Sequence, residues 1–238
     1  APGSARTDPR RSARHRGRAK RSGHVKSAFT GTGIGVISVY SLKPAFQKLL
    51  RPVARWLYSR GVSANQVTLA ALWLAVATGG AVALWPTPMM LLLLPPVLFV
   101  RMALNALDGM LAREFWGPTP LGAVLNELGD VLADAAMALP LALIPGVPMA
   151  PVVSLVLLAL LSEFCGVVAV QIGASRRYDG PMGKSDRAVL LGGIALLLGC
   201  GVPAGFWLAT VLVVASGLLA LTCFNRLRAA LREVKPCL

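Results

Sequence analysis

The chain has 238 residues, 55% of them hydrophobic, and 24 Lys and Arg against 10 Asp and Glu give it a net charge of +14. A chain of this size and apolarity is no soluble domain, and its continuous apolar runs lack the period-2 alternation of a barrel, which leaves a polytopic helical membrane protein. None of the four cysteines, Cys165, Cys200, Cys223 and Cys237, stands in a CxxC pair, so neither a zinc site nor a disulfide framework is expected.

Residues 1–40 form a basic extension. Its first part is rich in Arg, Lys, Ser and Gly with the single acid Asp8, a composition that builds no core and is expected to be disordered. The stretch 29–40 is apolar but too short to span a membrane. Basic residues at a terminus and in loops suit anionic lipid headgroups rather than nucleic acid, and orientation in the membrane accounts for them equally well.

Residues 41–60 change pattern. Phe46, Leu49, Leu50, Val53 and Leu57 recur at helical spacing, with Lys43, Lys48, Arg51 and Arg55 between them and Trp56 and Tyr58 as interfacial aromatics. This predicts an amphipathic juxtamembrane helix on the membrane surface, bent at Pro52.

Six spans are then expected, at about residues 65–85, 89–113, 120–144, 150–174, 188–200 and 205–224, together filling a transmembrane catalytic domain over 61–226. Pro95-Pro96 predicts a kink in the second, and the fifth is short. A basic cytosolic tail, 227–238, closes the chain. The connections after spans one, three and five carry no charge, whereas the other loops carry Arg or Lys. The positive-inside rule therefore puts both termini on the cytosolic side, in what is expected to be a bacterial cytoplasmic (inner) membrane. The fold class is thus all-α integral membrane protein: six transmembrane helices behind an amphipathic interfacial helix.

The chemistry concentrates in residues 105–134. Asp108, Glu114, Glu127, Asp130 and Asp134 are half of the chain's 10 acids, and they lie in its most apolar part. Carboxylates in an apolar run are costly unless a cation pairs with them. Asn105, Asp108 and Ala112 share one helical face, with Arg101 two turns earlier. Gly122, Asn126, Asp130 and Asp134 are spaced four apart in a stripe on the next helix. The short turn EFWGPTP between them makes the two helices antiparallel neighbours, so both stripes meet near the cytosolic end. An oxygen-only ligand set suits Mg²⁺, Mn²⁺ or Ca²⁺, and the lack of histidine disfavours zinc. A purely structural network with Arg101 and Arg113 is the alternative, and for Gly109 and Gly122 the alternative is tight helix packing.

The stretch resembles the signature of the CDP-alcohol phosphatidyltransferase family, Asp-x2-Asp-Gly-x2-Ala-Arg-x8-Gly-x3-Asp-x3-Asp. The spacing matches throughout, from Asn105 through Asp108-Gly109, Ala112-Arg113 and Gly122 to Asn126 and Asp130. The resemblance extends over about residues 39–230. Residues 62–68, with Asn65 and Thr68, are similar to the family's Pro-Asn-x-x-Thr segment, with Ala64 in place of proline. Asn105 and Asn126 replace the first and third signature aspartates. An asparagine supplies a neutral oxygen but no charge, and Asp134 and Glu127 are nearby acids that could restore it.

The resemblance implies transfer of a phosphatidyl group from CDP-diacylglycerol to an alcohol, releasing CMP, in phospholipid biosynthesis. It implies Mg²⁺ or Mn²⁺ on Asn105, Asp108, Asn126 and Asp130, with Asp134 and Glu127 as further candidates. Asp130 would be the general base, with Asp134 as the alternative, and Asn65, Thr68, Gly109, Ala112, Arg113 and Gly122 would contact the donor. The loop between spans four and five offers Arg176, Arg177, Lys184 and Arg187, which suit a phosphorylated acceptor such as glycerol 3-phosphate. The same loop also reads as a positive-inside segment that touches nothing. Glu163 and Ser162 in span four read as support for the site or as helix packing. The expected partners are the donor, the acceptor, membrane lipids and a second copy in a homodimer. A degenerate lipid-binding scaffold and a small cation carrier are the rival functions. The carrier predicts acids scattered over several spans rather than clustered on two.

Overall fold

The computed structural model describes residues 39–234, with side chains from Phe46 onward. The expectations for residues 1–38, and for 235–238 at the end of the tail, lie outside the described residues. The elements are α1 (Val39–Ser59), α2 (Ala64–Leu84), the single turn α3 (Pro88–Leu91), α4 (Leu94–Leu111), α5 (Pro120–Ala138), α6 (Met149–Gln171), α7 (Lys184–Gly199) and α8 (Phe206–Glu233), with no strand among the described residues. A π-helical turn, Ala112–Trp116, follows α4, and a 3₁₀ turn, Leu139–Leu143, follows α5.

Local chemistry sets the helix ends. Ser63 caps α2 by accepting from Gln66 N, while the Gln66 side chain accepts from Ser63 N at 2.8 Å, a reciprocal capping box. Thr119 caps α5 by accepting from Gly122 N at 3.0 Å, with Pro120 opening the first turn. Near the expected kink at Pro95-Pro96 the helix is interrupted: α3 stops at Leu91 and α4 starts at Leu94, with Leu92 and Leu93 keeping αR backbone between them, so both prolines fall in the first turn of α4, where no N–H is needed. Helix α1 runs through Pro52 without interruption.

Among the described residues, four helical segments are long and apolar enough to cross a membrane: Ala64–Leu84, Pro88–Trp116, Met149–Gln171 and Phe206–Glu233. Helix α5, with 19 residues, carries Glu127, Asp130 and Asp134. Helix α7, with 16 residues, is about 24 Å long against about 30 Å of hydrocarbon. Large apolar side chains point outward on most helices, among them Trp73, Phe99, Leu128, Leu157, Phe164 and Val213. Such an exterior suits hydrocarbon and not water.

Helix α2 packs along α4 and α5, α6 packs along α8, and α7 leans on α4. The main apolar core joins Val82, Leu98, Met137, Leu141, Leu198 and Leu212 from five of these helices and the 3₁₀ turn. A second cluster seats α1 on α4, with Ala54, Leu50 and Leu57 against Leu107, Met110 and Leu111. Leu49, Val53 and Trp56 on the rest of the α1 stripe stay exposed. The polar side chains buried inside the bundle, including Arg101, Asp108, Ser162, Arg187 and Arg226, gather toward the end where α4, α6 and α8 finish and α5 and α7 begin.

Candidate functional site

The site lies between α4 and α5, which both pack on α2 rather than closely on each other, as their short connection had suggested, and meet through side chains. Asn105 Nδ2 donates to Asp130 Oδ1 at 3.1 Å, so the two stripes meet across the hairpin. Asp108, buried on α4, accepts from Thr68 Oγ1 of α2 at 2.8 Å. The hydroxyl's other contact is with the Ala64 carbonyl, one turn back. Asn65 lies over the first turn of α5: a Cβ on Gly122 would stand 2.9 Å from Asn65 Oδ1 and from Thr119 Oγ1, so a larger residue there would displace these side chains.

Cations surround the acids. Lys184 Nζ, from the first turn of α7, makes a short contact with Asp130 Oδ1. Arg101, also buried, reaches Asp134 Oδ1 at 2.7 Å and the Asp130 carbonyl at 3.2 Å. Arg187 donates to Asp134 Oδ2 at 2.9 Å and to Glu163 Oε1 at 3.0 Å. Arg176 bridges Glu127 at 2.8 Å and Glu163 at 3.2 Å. Arg226, 2% exposed on α8, contacts the Ser162 carbonyl and lies 3.6 Å from Glu163 Oε2.

Loop 172–183 is pressed onto the bundle. A Cβ on Gly166 would stand 3.2 Å from the Arg177 carbonyl and 3.4 Å from the Arg176 guanidinium. Met182 N donates to Thr222 Oγ1 at 3.1 Å, and Gly180, at φ 128°, lies against the same threonine. The hairpin turn is fastened too, by Arg51 to Glu114 at 3.0 Å and by Trp116 Nε1 to the Val62 carbonyl at 3.1 Å.

Asn65, Thr68, Asn105, Asp108, Gly122, Asp130, Lys184 and, one turn deeper, Asp134 with Arg187 are thus linked at one end of the bundle. The Arg113 guanidinium folds back over Gly109, 3.1 Å from where a Cβ would sit, with Ala112 half-buried beside it in the π-turn. Asn126 is exposed and makes no side-chain hydrogen bond among the described residues. Arg177 stands apart, held by Asp179 at 2.7 Å and Glu233 at 2.7 Å. Its hydrogen bond to Asp179 raises its pKa above the ordinary arginine value. Arg226 was hidden in the sequence, where it reads as the basic end of the transmembrane domain, next to the tail. The one clue was Glu163, an intramembrane acid that required a cation from another helix.

Among the described residues no three His, Cys, Asp or Glu side chains converge into a metal cluster. Two carboxylates, Asp108 and Asp130, with the amides Asn105 and Asn126 on the same stripes, form a set of hard oxygen donors. That set fits Mg²⁺ or Mn²⁺, since a small divalent ion is commonly held by one or two carboxylates and completed by substrate phosphates. Between α4, α5, α6 and α7 lies a small cavity of about 50 Å³, walled by Leu98, Val131, Met137 and Leu155 and bounded on its polar side by Arg101, Asp134, Glu163 and Arg187.

No family model matches the chain. It is 47% identical over 195 residues, 82% of its length, to the inner membrane protein YnbA of Escherichia coli, covering 97% of that protein. It is 39% identical over 95 residues, 40% of this chain and 41% of the other, to the phosphatidylinositol phosphate synthase of Mycolicibacterium smegmatis. The fold matches that of the phosphatidylinositol phosphate synthase of Mycobacterium tuberculosis. Against its crystal structure with CDP-DAG bound, the TM-score is 0.67 at 22% identity over 80% of this chain and 99% of that one. Against its structure with manganese and citrate, the TM-score is 0.65 at 23% identity over 79% and 92%.

Proposed function

The chain belongs to the family of the Escherichia coli inner membrane protein YnbA, and we propose that it is an integral membrane transferase that moves a phosphatidyl group from CDP-diacylglycerol to an alcohol, releasing CMP, in phospholipid synthesis. One observation carries this reading: Asn105 and Asp130, the first and last polar positions of the spaced signature, meet between α4 and α5 at 3.1 Å, with Asp108 beside them on α4. The solved neighbour binds CDP-DAG in one structure and manganese in another, which supports the donor and a divalent ion.

In this reading Asp108 and Asp130 hold the ion, with Asn105 and Asn126 as neutral donors. When bound, the ion supplies charge neutralisation of the pyrophosphate and of the departing CMP. Thr68 fixes the Asp108 carboxylate. Asp130 takes the proton of the acceptor hydroxyl; the freed oxygen bonds to the donor's lipid-bearing phosphorus, and the bond to CMP breaks. Lys184 orients Asp130 until substrate enters. Asn65, Gly109, Ala112, Arg113 and Gly122 shape the donor's nucleotide end, where Gly122 lets the chain come close. Asp134 and Glu127 are engaged by guanidiniums, and we assign them to holding Arg101, Arg187 and Arg176 in place rather than to ligation or proton transfer. Arg176, Arg187 and Lys184 face the acceptor. In the membrane, α1 lies at the interface with Leu49, Val53 and Trp56 turned to lipid, α5 and α7 complete six crossings, and both termini and the site are cytosolic.

Purified protein given CDP-diacylglycerol, Mn²⁺ or Mg²⁺ and a panel of alcohols should release CMP. Release should stop with EDTA and fall at least about a hundredfold in Asp108→Ala and Asp130→Ala, as expected for lost metal and base functions. Wild-type protein that releases no CMP with any acceptor would instead be a lipid-binding scaffold.

A further inference from the structure

Three arginines from three separate elements converge on one carboxylate. Arg176 of loop 172–183 lies 3.2 Å from Glu163 Oε2, Arg187 of α7 lies 3.0 Å from Oε1, and Arg226 of α8 lies 3.6 Å from Oε2. Without Glu163 this would be an anion cradle of the kind that grips phosphate through guanidinium forks. With Glu163 the cradle already contains its anion, tethered to α6. The neighbouring acids complete the neutralisation: Arg187 also pairs with Asp134 at 2.9 Å, and Arg176 with Glu127 at 2.8 Å. Arg101 shares Asp134, so four guanidiniums meet three carboxylates; with Lys184 on Asp130 and the buried Asp108 beside them, the site's five cations equal its five carboxylates.

We propose that Glu163 is a specificity-determining residue that fills the anion position of the acceptor site, so that the enzyme takes an alcohol bearing no phosphate. The proposal rests on the transferase reading above and narrows it: the basic loop alone suits a phosphorylated acceptor, and the tertiary structure shows its cations already matched. A phosphate monoester would bring a charge of about −1.5 to −2 into a neutral, partly buried network. The adjoining cavity, walled by Leu98, Val131, Met137 and Leu155, adds no further cation to offset it beyond Arg101, itself paired to Asp134. A hydroxyl adds no charge. The Nε–H groups of Arg176, Arg187 and Arg226 are buried without a hydrogen-bond partner among the described residues, and hydroxyl oxygens can accept from such donors.

The test is a calorimetric titration of full-length detergent-solubilised protein, free of divalent metal, with inorganic phosphate and with glycerol 3-phosphate. Wild type should show no saturable binding at millimolar ligand, whereas Glu163→Gln should bind both at least tenfold more tightly. Binding to wild type as tight as to the variant overturns the proposal. Should Glu163→Gln not fold, Glu163→Ala takes its place, and a folded variant that lacks the acid, keeps all three arginines and gains no phosphate binding overturns it equally. In the CMP-release assay, glycerol and inositol should serve as acceptors for wild type in preference to their phosphate esters, and the reverse preference counts against the role of Glu163. Absence of CMP with every acceptor sinks the transferase reading, while the phosphate titration still decides whether Glu163 occupies the anion position.

Discussion

Thr68 shows how a single hydroxyl prepares the site. It sits one turn into α2 and donates to Asp108 Oδ2 at 2.8 Å, which fixes the orientation of that carboxylate. Partners of this kind orient a ligand, and their loss commonly costs about 10–100-fold in metal affinity or activity. Thr68→Val, nearly isosteric, should therefore raise the Mn²⁺ concentration needed for half-maximal CMP release by about 10–100-fold while leaving thermal unfolding in detergent near wild type; an unchanged metal requirement would remove Thr68 from the site. The two asparagines fit the same frame. Asn105 cannot bring charge to a metal, but its amide N–H₂ ties α4 to Asp130, which an aspartate there could not do. Residue identity and spacing were legible in the sequence. That Asp134 serves Arg101 and Arg187 was not, because a stripe of acids on one helix does not reveal which cations other helices deliver.

Among the elements, the α2–α5 contact positions Thr68 and Asn65 over the α5 stripe. It depends on Gly79, where a Cβ would fall 2.7 Å from the Ala136 carbonyl carbon, with backbone on the far side and nothing to yield. Membrane helices lacking a hydrophobic drive between them gain by such close approach at small residues. Gly79→Ala should lower stability by about 1–3 kcal/mol through overpacking and reduce activity with it. Gly80→Ala, whose Cβ meets nothing within 4 Å, should change stability by less than about 1 kcal/mol. Equal effects at the two positions, read as melting temperatures in detergent, would refute the packing argument. Sequence patterning located the helices because apolar length and capping residues are local properties. It read 89–113 as one span kinked at Pro95-Pro96, and the structure has one membrane-length segment, Pro88–Trp116, whose helix is interrupted at Leu92 and Leu93 because the two prolines supply no N–H to the turn before them.

At the scale of the whole molecule, charge and exposure divide the bundle into a lipid-facing wall and one polar end. The loops at the opposite end, around Trp85, Gly146 and Cys200, carry no charge. If the polar end is cytosolic, a membrane-impermeant maleimide should label the exposed Cys200 in intact cells when the other cysteines are replaced. A cysteine at Ser185, beside Lys184, should react only in inverted vesicles. The opposite pattern would reverse the orientation and separate the site from cytosolic nucleotide.

By itself the sequence determined the class, the helical segments, the acidic stripes and their spacing, since hydropathy, helical period and capping are properties of neighbouring residues. The tertiary structure alone decided the pairing of charges: Lys184 on Asp130, Arg101 and Arg187 on Asp134, and three arginines on Glu163. Those contacts join residues 13 to 63 positions apart, and a buried charge chooses its partner by proximity in a low-dielectric interior, which only the packing of the helices sets.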